Sequence, residues 1–278
     1  MKKILVPCDF SEPAIEAFKF AIDVASLGGG SVLVLKVIDI PVVYDATFGM
    51  PSYMDNSGLI EELQKAAKKD YHRLVKKYGK GYDKIKFSAV QGPTSMMIND
   101  FIEEKKISLV IMGTHGATGI NEFFVGSTTE KIVRFSKVPV FAIRKAMPVK
   151  SIKNIVFPTT LNSDQSDFIK KLKVLQAFFN ARIHILYLNT PFNFIRDSDL
   201  KEYAARHKFT NYTLSIRQDR YEPDGIIAFA EEIKADLLAM ATHGRKGLSH
   251  FIEGSITEDV VNHISCPVWT YVLKKKKK

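Results

Sequence analysis

The chain is 278 residues long, enough for one large domain or two ordinary ones, and its 46% hydrophobic and 25% charged residues are the balance of a folded globular protein. No apolar run approaches the roughly 18–20 residues of a membrane helix, and Met1 to Pro7 lacks a signal-peptide layout, so no membrane partner and a cytoplasmic location are expected. Half of the net charge of +10 sits in the terminal run Lys274 to Lys278, and the rest is spread over mixed-sign stretches such as Glu61-Glu62 and Lys68-Lys69, so no nucleic-acid partner is expected.

In chain order, Ile4 to Pro7 reads as a buried strand. Ser11 can cap a following helix whose apolar positions Ala14, Phe18, Ala21, Ile22 and Ala25 recur at helical spacing, and Gly28-Gly29-Gly30 ends it. Val32 to Ile38 is a second strand. Residues 40 to 58, with Pro41, Gly49, Pro51 and Gly58, read as a loop. Leu59, Leu63, Ala67, Tyr71, Leu74 and Tyr78 mark a long amphipathic helix. Lys84 to Val90 is a third strand, Met97, Ile98, Phe101 and Ile102 mark a third helix, and Leu109 to Met112 a fourth strand. A glycine-studded loop follows, then a helix from Ser127 and a last strand, Val138 to Ile143.

The pattern then starts again. Lys2-Lys3-Ile4-Leu5-Val6-Pro7 matches Lys153-Asn154-Ile155-Val156-Phe157-Pro158. Thr114-His115-Gly116 matches Thr242-His243-Gly244. Gly126-Ser127-Thr128-Thr129-Glu130 matches Gly254-Ser255-Ile256-Thr257-Glu258, and Val138-Pro139-Val140 matches Cys266-Pro267-Val268. Two copies are expected, over residues 1–146 and 151–273, joined at Met147-Pro148-Val149-Lys150 and followed by a lysine tail, 274–278. Strands alternating with helices imply crossover connections and hence a parallel, doubly wound α/β sheet. In such sheets ligands lie at the carboxyl ends of the strands flanking the point where strand order reverses. The segments after the first and fourth strands are therefore the candidate site.

After the fourth strand comes Gly113-Thr114-His115-Gly116, then nine residues, then Gly126-Ser127. Glycines allow tight turns and close backbone approach, and a helix opening at Ser127 offers N–H groups and a dipole to an anion. After the first strand, Asp9 can accept hydrogen bonds from a ribose or meet a magnesium ion. Each residue also has a plain structural use. Ser127 to Glu130 has the form of a capping box, Gly113 and Gly116 suit turns, and Asp9 can cap the first helix. His115, His243 and Glu122 have no nucleophile at a recognisable spacing, so no catalytic residue is assigned. Cys8 and Cys266 are too far apart for a disulfide framework or zinc cluster and are expected to be reduced and buried at strand ends. Nucleotide-loop, dinucleotide-fingerprint, nucleophile-elbow and C-x-x-C or H-E-x-x-H signatures are absent from the sequence.

The spacing G-x2-G-x9-G-[ST] with P-x-D-x-S upstream resembles the universal stress protein family, and the resemblance covers both halves. It implies two tandem doubly wound, Rossmann-like domains, each with a five-stranded parallel sheet. It further implies that the chain binds ATP or a related adenine nucleotide, with magnesium, in a stress-response role with little or no turnover. The alternatives are a slow nucleotide hydrolase or transferase on the same fold, or a scaffold that binds no nucleotide. By resemblance Gly113, Gly116, Gly126, Ser127 and Thr128 would contact phosphates, and Pro7, Cys8, Asp9, Val37 and Met112 the nucleoside. The second copy departs from the motif. Thr160 replaces Asp9, Ala241 replaces Gly113, and alignment of Pro41 with Pro191 sets Tyr187 opposite Val37, while Gly244, Gly254 and Ser255 are kept. Binding is thus expected in the first copy. Single-domain relatives dimerise through the matching last strand, so the two last strands here are expected to pair within the chain as a pseudo-dimer, leaving any homodimer to form through another surface.

Overall fold

The computed structural model describes residues 2–39, 57–114, 126–161, 165–191, 193–242 and 256–273. In chain order these form β1 (Lys3–Pro7), α1 (Glu12–Gly28), β2 (Ser31–Ile38), α2 (Ser57–Tyr78), β3 (Ile85–Gln91), α3 (Thr94–Glu104), β4 (Leu109–Gly113), α4 (Ser127–Phe135) and β5 (Val140–Ile143). A single 3-10 turn, Val149–Ser151, leads to β6 (Asn154–Pro158), α5 (Ser166–Phe179), β7 (Arg182–Asn189), α6 (Asp197–Arg206), β8 (Tyr212–Gln218), α7 (Glu222–Glu232), β9 (Leu237–Thr242), α8 (Ile256–His263) and β10 (Val268–Val272). No described helix is long and apolar enough to cross a membrane.

Each half is a doubly wound α/β unit, but the two five-stranded sheets are continuous with each other. Among the described residues the order is β3-β2-β1-β4-β5-β10-β9-β6-β7-β8. Every neighbouring pair is parallel except β5 and β10, which run antiparallel with Val140 opposite Thr270, Phe141 opposite Trp269 and Ala142 opposite Val268. The strand expected from Val138 begins at Val140, and β10 begins at the matching Val268, because Pro139 and Pro267 have no N–H to give to a ladder. Their carbonyls still accept from Val110 and Leu238, each at 3.0 Å.

The strands are apolar on both faces, as a sheet covered on both sides requires. One face packs against α1, α2, α5 and α6, burying Phe18, Phe20, Phe168, Leu172 and Tyr203. The other packs against α3, α4, α7 and α8, burying Ile98, Ile132, Phe229 and Val260. Aromatic rings gather where the halves meet. Phe141 lies edge-on to Phe20 at 5.4 Å and to Phe179 at 6.4 Å, and Trp269 lies against Phe168 at 5.4 Å. The junction between halves is also tied down. Val149 and Ile152 are buried, and the Ala146 N–H donates to Glu16 Oε2 at 2.8 Å. Burial would raise the pKa of Glu16, but Lys19 and the Ala146 amide hold it below its ordinary value.

One polar atom at this seam has no partner. Thr270 Oγ1 is completely buried and makes no hydrogen bond. A buried hydroxyl without a partner costs about 1–3 kcal/mol on mutational scales. Thr270→Val, nearly isosteric, should therefore raise stability by about 1 kcal/mol in chemical denaturation followed by Trp269 fluorescence. A loss of stability would mean that the hydroxyl is bonded after all.

Candidate functional site

The chain runs from β1 outward to β2 and β3, then returns to the other side of β1 as β4. The switch point is between β1 and β4, where Leu5 pairs with Val110. That register brings the carboxyl ends of both strands, Pro7 and Gly113, to the same rim of the sheet.

On the β1 side, Cys8 is buried and donates its N–H to Leu35 O at 2.8 Å, and burial pushes its thiol up to about 12. It is therefore inert as a nucleophile. The next residue, Asp9, is exposed. Its Oδ1 accepts the Ser11 N–H at 3.0 Å and the Ser11 hydroxyl at 2.5 Å. Ser11 occupies the cap position of α1, but its hydroxyl turns back to Asp9 instead of bonding into the helix. Between them Phe10 has φ 67°, a left-handed conformation that a bulky residue adopts only under constraint. The corresponding residue of the second half, Leu161, has φ 58°, so the same bent exit from the strand is built twice.

On the β4 side, the Thr129 hydroxyl donates to Gly113 O at 2.8 Å and the Gly126 N–H to Thr114 O at 2.7 Å. These two bonds hold the first turn of α4 against the end of β4. Gly126, not Ser127, is the cap residue, and no side chain caps the helix. The capping box expected at Ser127 to Glu130 does not form, because Ser127 is already the first helical residue and Glu130 pairs with Arg134 at 3.6 Å. Ser127 is exposed and Thr128 half-buried. Val37, half-buried, and Met112, buried, both belong to the face covered by α3 and α4. The structure thus gathers Pro7, Cys8 and Asp9 on one side of the switch point and Met112, Gly113, Gly126, Ser127 and Thr128 on the other. Gly116, His115 and Glu122 lie outside the described residues, as do Gly244, His243, Gly254 and Ser255.

Gly113 has a packing role that its sequence context hides. A Cβ placed on it would sit 2.7–2.8 Å from the carbonyl carbon, the carbonyl oxygen and the Cβ of Pro13, in the first turn of α1. Its missing side chain lets α1 cross close over β4, and Ala241 in the second half is no sign by itself of a lost phosphate contact.

The second half differs in two further ways. The strand registers, Pro7 opposite Leu35 and Pro158 opposite Leu186, make Leu188 the counterpart of Val37, and make Tyr187 that of Lys36. Alignment on Pro41 and Pro191 is one residue out of step, and in a strand one residue changes the face. Tyr187 therefore packs on the α5–α6 side, its hydroxyl 2.6 Å from Asn193 Oδ1. Thr160, opposite Asp9, is exposed. Beside it Thr159 replaces Cys8 and joins a buried cluster with no counterpart in the motif. Thr159 Oγ1 lies 2.7 Å from Gln165 Oε1 and 3.1 Å from the Tyr203 hydroxyl, which itself donates to Gln165 Oε1 at 2.7 Å. The Leu161 N–H donates to Thr159 Oγ1 at 3.1 Å, and burial pushes the Tyr203 phenol up to about 12. Tyr203 arrives from another helix, so local spacing gives no sign of this cluster.

The sequence profile of the universal stress protein family matches residues 1–144 and 151–271. The chain belongs to the universal stress protein family. A universal stress protein of Methanocaldococcus jannaschii is 33% identical over 146 residues, covering 52% of this chain and 82% of that protein. A Synechocystis universal stress protein is 23% identical over 290 residues and is covered from end to end, at 98% of this chain and 100% of its own length. The crystal structure of a universal stress protein from Archaeoglobus fulgidus superposes with a TM-score of 0.77 at 21% identity over 98% of both chains, which establishes the tandem universal stress protein fold.

Gly113→Ala should destabilise this universal stress protein by about 1–3 kcal/mol, the usual cost of overpacking, in ligand-free denaturation. A ligand-free stability equal to that of the parent would show that Pro13 yields, and that the glycine serves something other than helix packing.

Proposed function

We propose that this universal stress protein binds one adenine nucleotide, ATP with magnesium, in the first half, and that occupancy of the site rather than turnover is its output. The observation that supports this most directly is the pairing across one switch point of a carboxylate held in place and a helix start without a side-chain cap. The first-turn N–H groups of α4 and its dipole suit phosphate oxygens. Asp9, anchored by Ser11, stands across the rim where ribose hydroxyls would donate to it. Val37, half-buried, would supply apolar surface for the base, with the buried Met112 behind it. Among the described residues no group of three or more His, Cys, Asp and Glu could hold a metal ion. Magnesium would then come with the nucleotide, its ligands mostly phosphate oxygens and water, with Asp9 as a protein neighbour.

The second half lacks the carboxylate and fills the corresponding turn with the Thr159–Gln165–Tyr203 cluster. We read it as a structural partner that takes the place of a second single-domain chain, with residues 1–146 and 151–273 as the two domains and β5–β10 as the equivalent of a dimer interface.

Titration calorimetry with ATP and magnesium should give one site per chain. Asp9→Ala should weaken it at least tenfold, about 1.4 kcal/mol, while Thr160→Ala leaves it unchanged. Two equivalent sites, or equal effects of the two substitutions, would refute selective binding. Residues 1–146 expressed alone should dimerise through the uncovered β5. A folded monomer at high concentration by light scattering would refute the pseudo-dimer.

A further inference from the structure

The cations that look dispersed along the sequence are gathered by α2. Lys65, Lys68, Lys69, His72, Arg73 and Lys76 are all exposed and line a single open depression on its outer face. Their spacing, i, i+3, i+4, i+7, i+8 and i+11, is that of one helical stripe, about 16 Å long at 1.5 Å per residue. The opposite side of α2 buries Ala67 and Leu74 against the sheet, which fixes this stripe toward solvent. The acidic groups nearby lie at its margins. Glu61 pairs with Lys65 at 2.6 Å near the helix start, Asp70 on the flank pairs with Arg73, and Asp23 of α1 pairs with Lys80 at 2.9 Å beyond the far end. Lys68, Lys69 and Lys76 have no acidic partner among the described residues.

The arrangement opposes helix stability. Lys65 and Lys69, and Lys69 and Arg73, are each four residues apart, and like charges at that spacing cost a few tenths of a kcal/mol per pair. Fold formation does not call for it. The counterpart helix α6 (Asp197–Arg206) is ten residues long and mixes Asp197, Asp199 and Glu202 with Lys201 and Arg206.

We propose that the outer face of α2 docks on the phosphate backbone of a nucleic acid, without base preference. The shape favours this ligand. The surface is a strip one helix wide, bounded by Glu61, Glu62, Asp70 and Asp23, so it matches a line of phosphates better than the plane of an anionic membrane. Among the described residues no exposed Phe, Tyr or Trp is interleaved with these cations, since Tyr71 is stacked on Phe87 at 4.7 Å, so the strip has no large platform for unstacked bases. Affinity would come from counterion release and fall steeply with salt.

The test uses the full chain and a mixed-sequence 20-base-pair DNA duplex, with binding followed by fluorescence anisotropy from 25 to 200 mM salt. A slope of log K against log salt of about −4 to −5 is expected for five or so phosphate contacts. K68Q/K69Q/K76Q should reduce that slope by about 3 and weaken binding at least thirtyfold at the lowest salt. K170Q/K171Q/K201Q, which removes equal charge from the second half and keeps the same lysine tail, should change neither. Equal effects of the two triple variants would assign binding to net charge or to the tail and overturn the proposal. So would binding to phosphatidylserine vesicles with none to the duplex.

Discussion

The antiparallel pairing of β5 with β10 is the contact on which the rest of the molecule depends. Phe141 faces Trp269, and the flanking pairs, Val140 with Thr270 and Ala142 with Val268, exchange places when one half is turned onto the other. The register therefore generates a pseudo-twofold axis through the Phe141–Trp269 pair. Each half is a parallel sheet, so reversing direction at this one step makes the two switch points open at opposite ends of a single sheet. A strand that would otherwise be a bare apolar edge is covered by its own counterpart. The short connection, anchored by Val149 and Ile152, keeps the local concentration of the two edges high.

With the frame held by the seam, the two rims are free to diverge. The bent exit from the strand survives in both, at Phe10 and Leu161, where the chain leaves the sheet for the first helix of each half. What sits on the bend differs. In the first half it carries a carboxylate pinned by Ser11. In the second it is closed by a buried hydroxyl–amide–phenol cluster. That buried network, with the Thr159 and Tyr203 hydroxyls both on Gln165 Oε1, braces the turn from within the protein.

Much of this was legible in the sequence, and the failures share a physical cause. The strands and helices, the repeat and the tandem α/β fold can be read from local pattern, because short apolar runs and apolar residues at helical spacing report burial directly. Three-dimensional neighbours cannot. The motif around Gly113 gives no sign that Pro13 of the first helix packs directly against it. Tyr187 looks like a pocket residue when counted from a proline in a loop, and one residue of slip places it on the opposite face of the sheet. Ser127 looks like a cap, but the Gly126–Thr114 bond starts the helix one residue earlier than the capping-box reading assumes. The charge of α2 appears mixed in linear order and one-sided on the helix, since positions three and four apart share a face.

The most direct measurement of the central claim is hydrogen exchange of the native chain with and without ATP and magnesium, resolved by peptide. The account predicts slowed exchange at residues 8–11, 112–114 and 126–130, with the matching segments 159–161, 240–242 and 256–258 unaffected. Protection of both sets to the same degree, or of neither at saturating nucleotide, would contradict it.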